Sequence, residues 1–337
     1  MRKLLALVVF VILPGWAMLW YYGAIRPVDA SGALEKVVQI PKGASTTQIA
    51  ALLKEQGFIK SETAFRLYAA LHDVQSALQA GGFLLKNSMH LSELVEVLTH
   101  GKGREFSITV PEGFTVREID ALIAKKGLAP SGAIEECVRT CDFSSFDDFL
   151  PGRSGLAPRG GRIEGYLFPD TYNVNPGDFV AKFFLERMLT TFRHKIVDDL
   201  AGDTAASKRP LHDVMTMASL IEKETRTDDE RAVVSGILWK RHDEGMGLGV
   251  DAAVRYIQDK PTGELTVADL NVDSPYNLRK FRGLPPGPIA SAGLKSIIAA
   301  VHPKESPYWY YLHGSDGVIR YAETNAEHNS NKAIYLR

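Results

Sequence analysis

Residues Leu211 to Gly245, LHDVMTMASLIEKETRTDDERAVVSGILWKRHDEG, leave the backbone few options: they read as two consecutive helices meeting at a polar corner. On a helical period of about 3.6 residues, Val214, Met217, Ala218, Ile221 and Thr225 form one stripe. Thr227 followed three residues later by Glu230 is a capping-box pattern, so the second helix is expected to start at Asp228. The corner gathers Glu222, Glu224, Asp228, Asp229 and Glu230. Among them Glu224 lies three and four residues beyond Ile221 and Leu220 and leaves the last turn towards the apolar side, whereas Lys223 points away. A carboxyl against apolar side chains has its charged form disfavoured, and the negative end of the helix dipole acts in the same direction. Glu224 is therefore expected to titrate above the ordinary value of about 4.3, as a general acid requires. The competing reading, favoured on the pattern alone, is a carboxylate that caps nothing and merely ends an amphipathic helix.

The first residues place the chain. Residues 4–25, LLALVVFVILPGWAMLWYYGAI, carry no charge and are long enough, at about 1.5 Å per residue, to cross a hydrocarbon core of about 30 Å. Arg2 and Lys3 precede them, so residues 1–3 are expected to stay cytoplasmic and everything after about residue 26 to lie outside the membrane. Trp16, Trp20, Tyr21 and Tyr22 crowd the distal half like an interface anchor. A retained single-pass anchor is preferred over a cleaved signal peptide, because the run is long for an apolar leader core and no small-x-small cleavage site follows.

Residues 26–37 form a polar connector, and an internal repeat follows. IPKGASTTQIAALLKEQGFI (40–59) and VPEGFTVREIDALIAKKGLA (110–129) align without a gap at an offset of 70. Each reads as a strand, a Pro-Gly turn and a helix ended by glycine. A weaker copy, GFLLKNSMHLSELVEVLTHGKG (82–103), has its apolar stripe at Leu91, Leu94, Val95 and Leu98, and another helix is expected near Ser61 to Ala70. These units predict a small α+β module over 38–105 and a second strand-turn-helix unit with linker over 106–160. Residues 161–337 contain no dividing linker and read as one mainly helical domain with a small sheet. Within it, 178–200 is expected to be one long helix (Phe179, Phe183, Phe184, Met188, Phe192, Ile196), 201–210 a polar loop, Ser291 to about Val301 a helix, and the residues around His313 a hairpin. The aromatic stretch GRIEGYLFPDTYNVNPG (161–177) is either a substrate wall or a β-turn with its rings in the core, and the core reading is favoured. Cys137 and Cys141, four apart, either pair or remain free thiols.

Lysine and arginine total 39 against 40 aspartates and glutamates, without a dense basic stripe, so nucleic acid is not an expected partner. The sequence holds no Gly-rich nucleotide loop, no Gly-x-Ser-x-Gly elbow, no HExxH and no Ser-x-x-Lys, and its nine histidines are scattered, so no cofactor and no metal are expected. Carboxylate chemistry in an exported, tethered protein remains, and acid-catalysed cleavage of a polysaccharide fits it.

MASLIEKET (217–225), EGYLFPDTY (164–172), YNLRKFRGLPPGPI (276–289), HPKESPY (302–308) and EHN (327–329) resemble, in order and spacing, the bacterial endolytic murein transglycosylase family. The resemblance implies a single span, a periplasmic LysM-like module over 38–105 and a lysozyme-like catalytic domain over 161–337, an α+β chain overall. It implies that Glu224, the second glutamate of Glu-Lys-Glu, is the catalytic carboxyl. It further implies cleavage of the β-1,4 bond between N-acetylmuramic acid and N-acetylglucosamine within peptidoglycan strands, leaving a 1,6-anhydromuramoyl end, with termination of nascent strands beside membrane synthases as the expected role. Glu164, Tyr166, Asp170, Thr171, Tyr276, Asn277, Leu284, Pro285, His328 and Asn329 are expected to line the groove, with Ser219 and Glu222 supporting the acid from behind. DAAVRY (251–256) departs from the family's Asp-Pro-Thr pattern, keeping only Asp251, and Tyr321 and Ala322 stand where His/Tyr-x-Phe is usual. A peptidoglycan-binding scaffold with an inert Glu224 is the alternative, and a true hydrolase a third reading.

Overall fold

The computed structural model describes residues 13–101, 105–152 and 160–336. The chain is helix-rich α+β, with three two-stranded sheets among the described residues. The described residues divide into two compact units: 13–101, 105–108, 122–131 and 172–180 make the first, and 109–121, 132–152, 160–171 and 181–336 the second.

In the first unit, α1 (Leu13–Ala24) precedes β1 (Glu35–Ile40), α2 (Thr46–Glu55), α3 (Glu62–Leu71), β2 (Gly81–Lys86) and α4 (Leu91–His100). Of the expected span, 4–12 lies outside the described residues. α1 has 12 residues, about 18 Å of helix. No helix among the described residues is long and apolar enough to cross a membrane. β1 and β2 pair antiparallel, from Glu35 opposite Lys86 to Ile40 opposite Gly81. The capping box of Ser45 and Gln48 starts α2, and Ser61 caps α3. Val38, Ile49, Leu53, Phe58, Phe65, Phe83, Leu85, Leu94 and Leu98 form the core, so the stripes read in 40–59 and 82–101 do face inward. Lys126 belongs to this unit as well: its carbonyl accepts the Val37 N–H at 2.6 Å, and its ammonium pairs with Glu35 at 2.8 Å.

The second copy of the repeat, 110–129, is divided between the two units. It does supply a strand, β3 (Phe106–Thr109), and a helix, α5 (Val116–Lys125). Residues 109–121, 132–152 and 160–171 share the second unit with the C-terminal helices, whereas 106–108 and 122–131 fall in the first; β3 pairs with β4 (Thr171–Val174). Long-range bonds explain this: the Val110 N–H reaches the Asp170 carbonyl at 2.9 Å, and the Val116 N–H reaches the Glu164 carboxylate at 3.0 Å.

Between these strands lies α6 (Ala133–Thr140), and Cys137 and Cys141 are joined in a disulfide. Cys141 stands just past the helix in an extended conformation, which brings the two Cα atoms to 4.8 Å. After β4 come α7 (Ala181–Phe192), a π-helical turn (Arg193–Asp198), α8 (Ala201–Ser207), α9 (Leu211–Glu224), α10 (Asp228–Asp243), α11 (Asp251–Gln258), α12 (Val267–Leu270), α13 (Leu294–Val301), β5 (Tyr310–His313), β6 (Ile319–Ala322) and α14 (Asn325–Tyr335).

Several expectations need correction here. The helix expected over 178–200 changes to a π turn at Arg193, and Phe183 is exposed rather than inward. Residues 201–207 are helical, without a buried side chain, where a loop was expected; their alanines favour a helix without packing. α13 starts at Leu294, not Ser291, because the Ser291 backbone bonds to Gly113 and Phe114 instead. The two helices of the opening stretch end and begin as read, at Glu224 and Asp228, with the Thr227–Glu230 capping box in place.

α9 is the axis of this unit. All eight residues from Val214 to Ile221 are buried, so it is enclosed on every side and not only along its stripe. It packs against α10, α11 and α13. The segment entering β5 crosses α10 at Gly236, where any Cβ would collide with the Lys304 carbonyl. Trp239 Nε1 donates to the Ala300 carbonyl (2.9 Å) and Lys240 Nζ to that of Ser306 (2.9 Å), which fixes the HPKESPY segment along the helix.

Candidate active site

Glu224 ends α9, and the chain turns through Thr225 and Arg226 before Thr227 caps α10. Its side chain is half-buried, and Oε2 accepts a hydrogen bond from the Tyr311 hydroxyl at 3.1 Å. Among the described residues, Oε1 has no hydrogen-bond partner. Loss of solvent raises the carboxyl to about 7, and the charge of Asp251 adds to the rise; the Tyr311 bond, Arg241 and Arg255 oppose it. A group with that pKa is protonated in about half of the molecules at neutral pH. The shift foreseen from helix phase is present, and burial is its main cause.

Arg241 approaches from α10. It is buried, with Nε donating to the Trp309 carbonyl (2.7 Å), Nη1 to the Leu248 carbonyl (2.8 Å), and the guanidinium 5.1 Å from the Tyr310 ring. Its charge is thus fixed beside the acid by backbone oxygens. Asp251, at the first turn of α11, forms a two-pronged ion pair with Arg279, whose longer arm measures 2.8 Å. That pair ties the YNLRKFRG loop to the helix flanking Glu224.

The two residues expected behind the acid bond to neighbouring segments rather than to Glu224. Glu222 faces another side of α9, and its Oε2 accepts from the Gly293 N–H (3.1 Å) and the Ser296 hydroxyl (2.6 Å) at the start of α13. Ser219 Oγ donates to the Thr216 carbonyl (2.7 Å) and accepts the Ile289 N–H (3.0 Å), which anchors the PPGPI loop to α9.

Half of the ten expected groove residues lie beneath the surface. Glu164 is 2 % exposed, Tyr166 0 %, Tyr276 2 % and Asn277 0 %, so none offers a face to a polymer. Glu164 uses both oxygens, accepting the Val116 N–H (3.0 Å) and the Tyr256 hydroxyl (3.0 Å), and burial raises its carboxyl to about 7. Tyr166 and His212 bond at 2.9 Å, and His212 Nε2 lies 2.9 Å from the Pro286 carbonyl. Because a carbonyl only accepts, Nε2 carries the proton and the Tyr166 hydroxyl donates to Nδ1. Asn277 donates to the Leu270 (3.0 Å) and Val272 (2.9 Å) carbonyls, and Tyr276 packs 5.6 Å from Tyr256. Gly165, at φ 81°, lets the EGYLFPDTY turn touch Pro288, where any Cβ would clash. This is the core reading of the aromatic stretch, with Leu167, Phe168 and Tyr172 buried too.

The remainder divide. Asp170 pairs with Lys195 (3.1 Å) and Thr171 bonds Thr109 (2.9 Å), so these two engage β3 and the π turn rather than the surroundings of Glu224. Pro285 is buried and Leu284 half-buried in the loop held by Ser219 and His212. His328 stacks on Tyr310 at 5.1 Å, which places it beside the Arg241–Tyr310 contact, and Asn329 is exposed on α14. Among the described residues, no cluster of His, Cys, Asp or Glu could hold a metal ion.

Sequence reasoning missed Tyr311, Arg241, Arg279, His212 and Tyr256. Strand alternation in YWYYLH sets Tyr311 on one face with His313, but no local signal joins that face to Glu224.

Residues 38–334 of the chain match the YceG-like family. The chain is 33% identical over 329 residues to a Bacillus subtilis protein named endolytic murein transglycosylase, covering 96% of this chain and 91% of that protein. It is 28% identical over 341 residues to a Streptococcus pneumoniae protein of the same name, covering 93% of this chain and 60% of the longer relative. A crystal structure of a YceG-like protein from Listeria monocytogenes superposes with a TM-score of 0.66 at 26% identity, covering 88% of this chain and 98% of that one.

Proposed function

The chain belongs to the YceG-like family, and from that premise we propose that Glu224 is the single carboxyl through which it cuts peptidoglycan. The protein is an endolytic lytic transglycosylase, acting within glycan strands, as its similarity to the Bacillus enzyme over nearly all of both chains supports. The observation that carries the role of Glu224 is a half-buried carboxyl at a helix end, raised to about 7, with one oxygen held and the other open.

The reaction follows from that arrangement. Protonated Glu224 gives its proton to the glycosidic oxygen as the bond from muramic acid C1 to that oxygen breaks, releasing N-acetylglucosamine with a free hydroxyl. The Glu224 carboxylate then takes the proton of the C6 hydroxyl as O6 bonds to C1, closing the 1,6-anhydro ring. The acid is regenerated and no water is consumed. The substrate brings its own nucleophile, so the second carboxylate of a hydrolase is not needed.

Two broader readings accompany this one. The antiparallel strand–helix–helix–strand order of β1, α2, α3 and β2 supports a LysM-like, glycan-binding role for the first unit. The uncharged run at 4–25 and the Cys137–Cys141 disulfide support a membrane-tethered protein facing an oxidising periplasm, in reach of the synthases whose strands it would terminate.

Mass analysis of fragments released from purified sacculi tests the assignment. Wild-type protein is expected to yield anhydro-ended fragments and Glu224→Gln none, at equal folded concentration. Activity retained by Glu224→Gln would sink it, and reducing ends carrying an added water would point to a hydrolase.

A further inference from the structure

Successive residues of a strand point to opposite faces, so Tyr311 and His313 on β5 share one. Tyr311 donates to Glu224 Oε2 (3.1 Å), and His313 Nε2 lies 3.3 Å from Glu230 Oε2. The first carboxylate ends α9 and the second caps α10, so one strand face spans the corner with a polar contact to each helix. β5 is itself fixed: the Trp309 carbonyl accepts from Arg241, the Trp309 N–H reaches the Ala322 carbonyl at 3.0 Å, and Tyr311 stands opposite Tyr321 in the hairpin. Burial and the neighbouring charge of Glu224 push the Tyr311 hydroxyl well above its ordinary range, so it remains a donor at any working pH.

Building on the assignment of Glu224 as the acid, we propose that Tyr311 is the positioning residue of that carboxyl, holding Oε2 so that Oε1 faces the glycosidic oxygen. The same bond stabilises the carboxylate once its proton has gone to the leaving group, and it persists while the C6 hydroxyl returns a proton. Four groups act on Glu224: Asp251 and Arg255 from α11, Arg241 from α10 and Tyr311 from β5. The first three act through their charge, and Tyr311 through its hydrogen bond.

Tyr311→Phe removes the hydroxyl and leaves the ring and the three charges. Glu224 must be protonated to start the reaction, so kcat/KM falls as pH rises through its pKa, and the basic limb reports that pKa. Loss of a bond that favours the charged form raises the pKa. The limb is therefore expected to move upward by about one unit, the equivalent of one hydrogen bond, with kcat lowered and KM unchanged. Titration of the Glu224 carboxyl by carbon-13 NMR in the full chain should show the same upward move. His313→Ala, which loosens the strand but keeps the hydroxyl, is expected to lower the melting temperature and leave the limb in place. An unmoved limb and titration in Tyr311→Phe, an equal shift in His313→Ala, or a Tyr311→Phe chain that cannot fold would each overturn the proposal. Turnover by Glu224→Gln would instead remove the acid assignment on which it rests.

Discussion

Glu164 and Glu224 are both carboxyls raised to about 7, both chiefly by burial, yet they occupy opposite kinds of place. Glu164 lies under the EGYLFPDTY turn with one oxygen on a backbone N–H and the other on a tyrosine hydroxyl. Glu224 has one oxygen on a tyrosine hydroxyl and keeps an open flank. The contrast teaches that a raised pKa marks loss of solvent and nothing more. What makes an acid useful is an unspent oxygen that a substrate can reach, and only Glu224 of the pair has one.

The largest test of this contrast is catalytic. Glu224→Gln is expected to lower the rate of anhydro-end formation by about a thousandfold, or roughly 4 kcal/mol of transition-state stabilisation, with little change in the urea midpoint. Glu164→Ala should do the reverse. It orphans the Val116 N–H and the Tyr256 hydroxyl, each at a cost of about 1–3 kcal/mol, while turnover per folded molecule survives. A well-folded Glu164→Ala protein without activity would break the comparison.

A pH series sharpens it. The folded state raises Glu164 from 4.5 to about 7, so it binds the proton more tightly than the unfolded chain does. Its stabilising contribution is complete below pH 4.5 and is lost as pH rises through about 7, a loss of about 3 kcal/mol for so buried a group. Denaturation midpoints of Glu164→Gln should lack that decline. Smallest is Glu222→Ala, which leaves the Gly293 N–H and the Ser296 hydroxyl without their acceptor, a cost of about 1–3 kcal/mol in stability with the pH–rate profile unmoved.

Local chemistry made part of this legible. The α9–α10 corner could be read because a capping box and an apolar period are written in adjacent residues, and the face of Glu224 followed from Leu220 and Ile221. Whether Cys137 and Cys141 pair could not be decided by spacing, because the answer depends on α6 stopping at Thr140 and Cys141 turning extended. The motif EGYLFPDTY was visible and its pattern favoured the core, whereas the resemblance implied that Glu164 and Tyr166 line the groove. Aromatic and acidic residues look alike on a wall and in a core until Val116, Tyr256 and His212 arrive from distant segments. Tyr311 escaped for the same reason: nothing near it in the chain says which helix end β5 meets.

The hairpin's contact with the helix corner has a consequence for how the enzyme is made. Tyr311 follows Glu224 by 87 residues, and synthesis delivers the acid long before its partner. A chain halted between the two carries the Glu-Lys-Glu helix with neither the Tyr311 bond nor the His313 contact in place. The carboxyl and the hydroxyl that holds it therefore meet late in synthesis, after the hairpin has emerged and folded back on the helix corner.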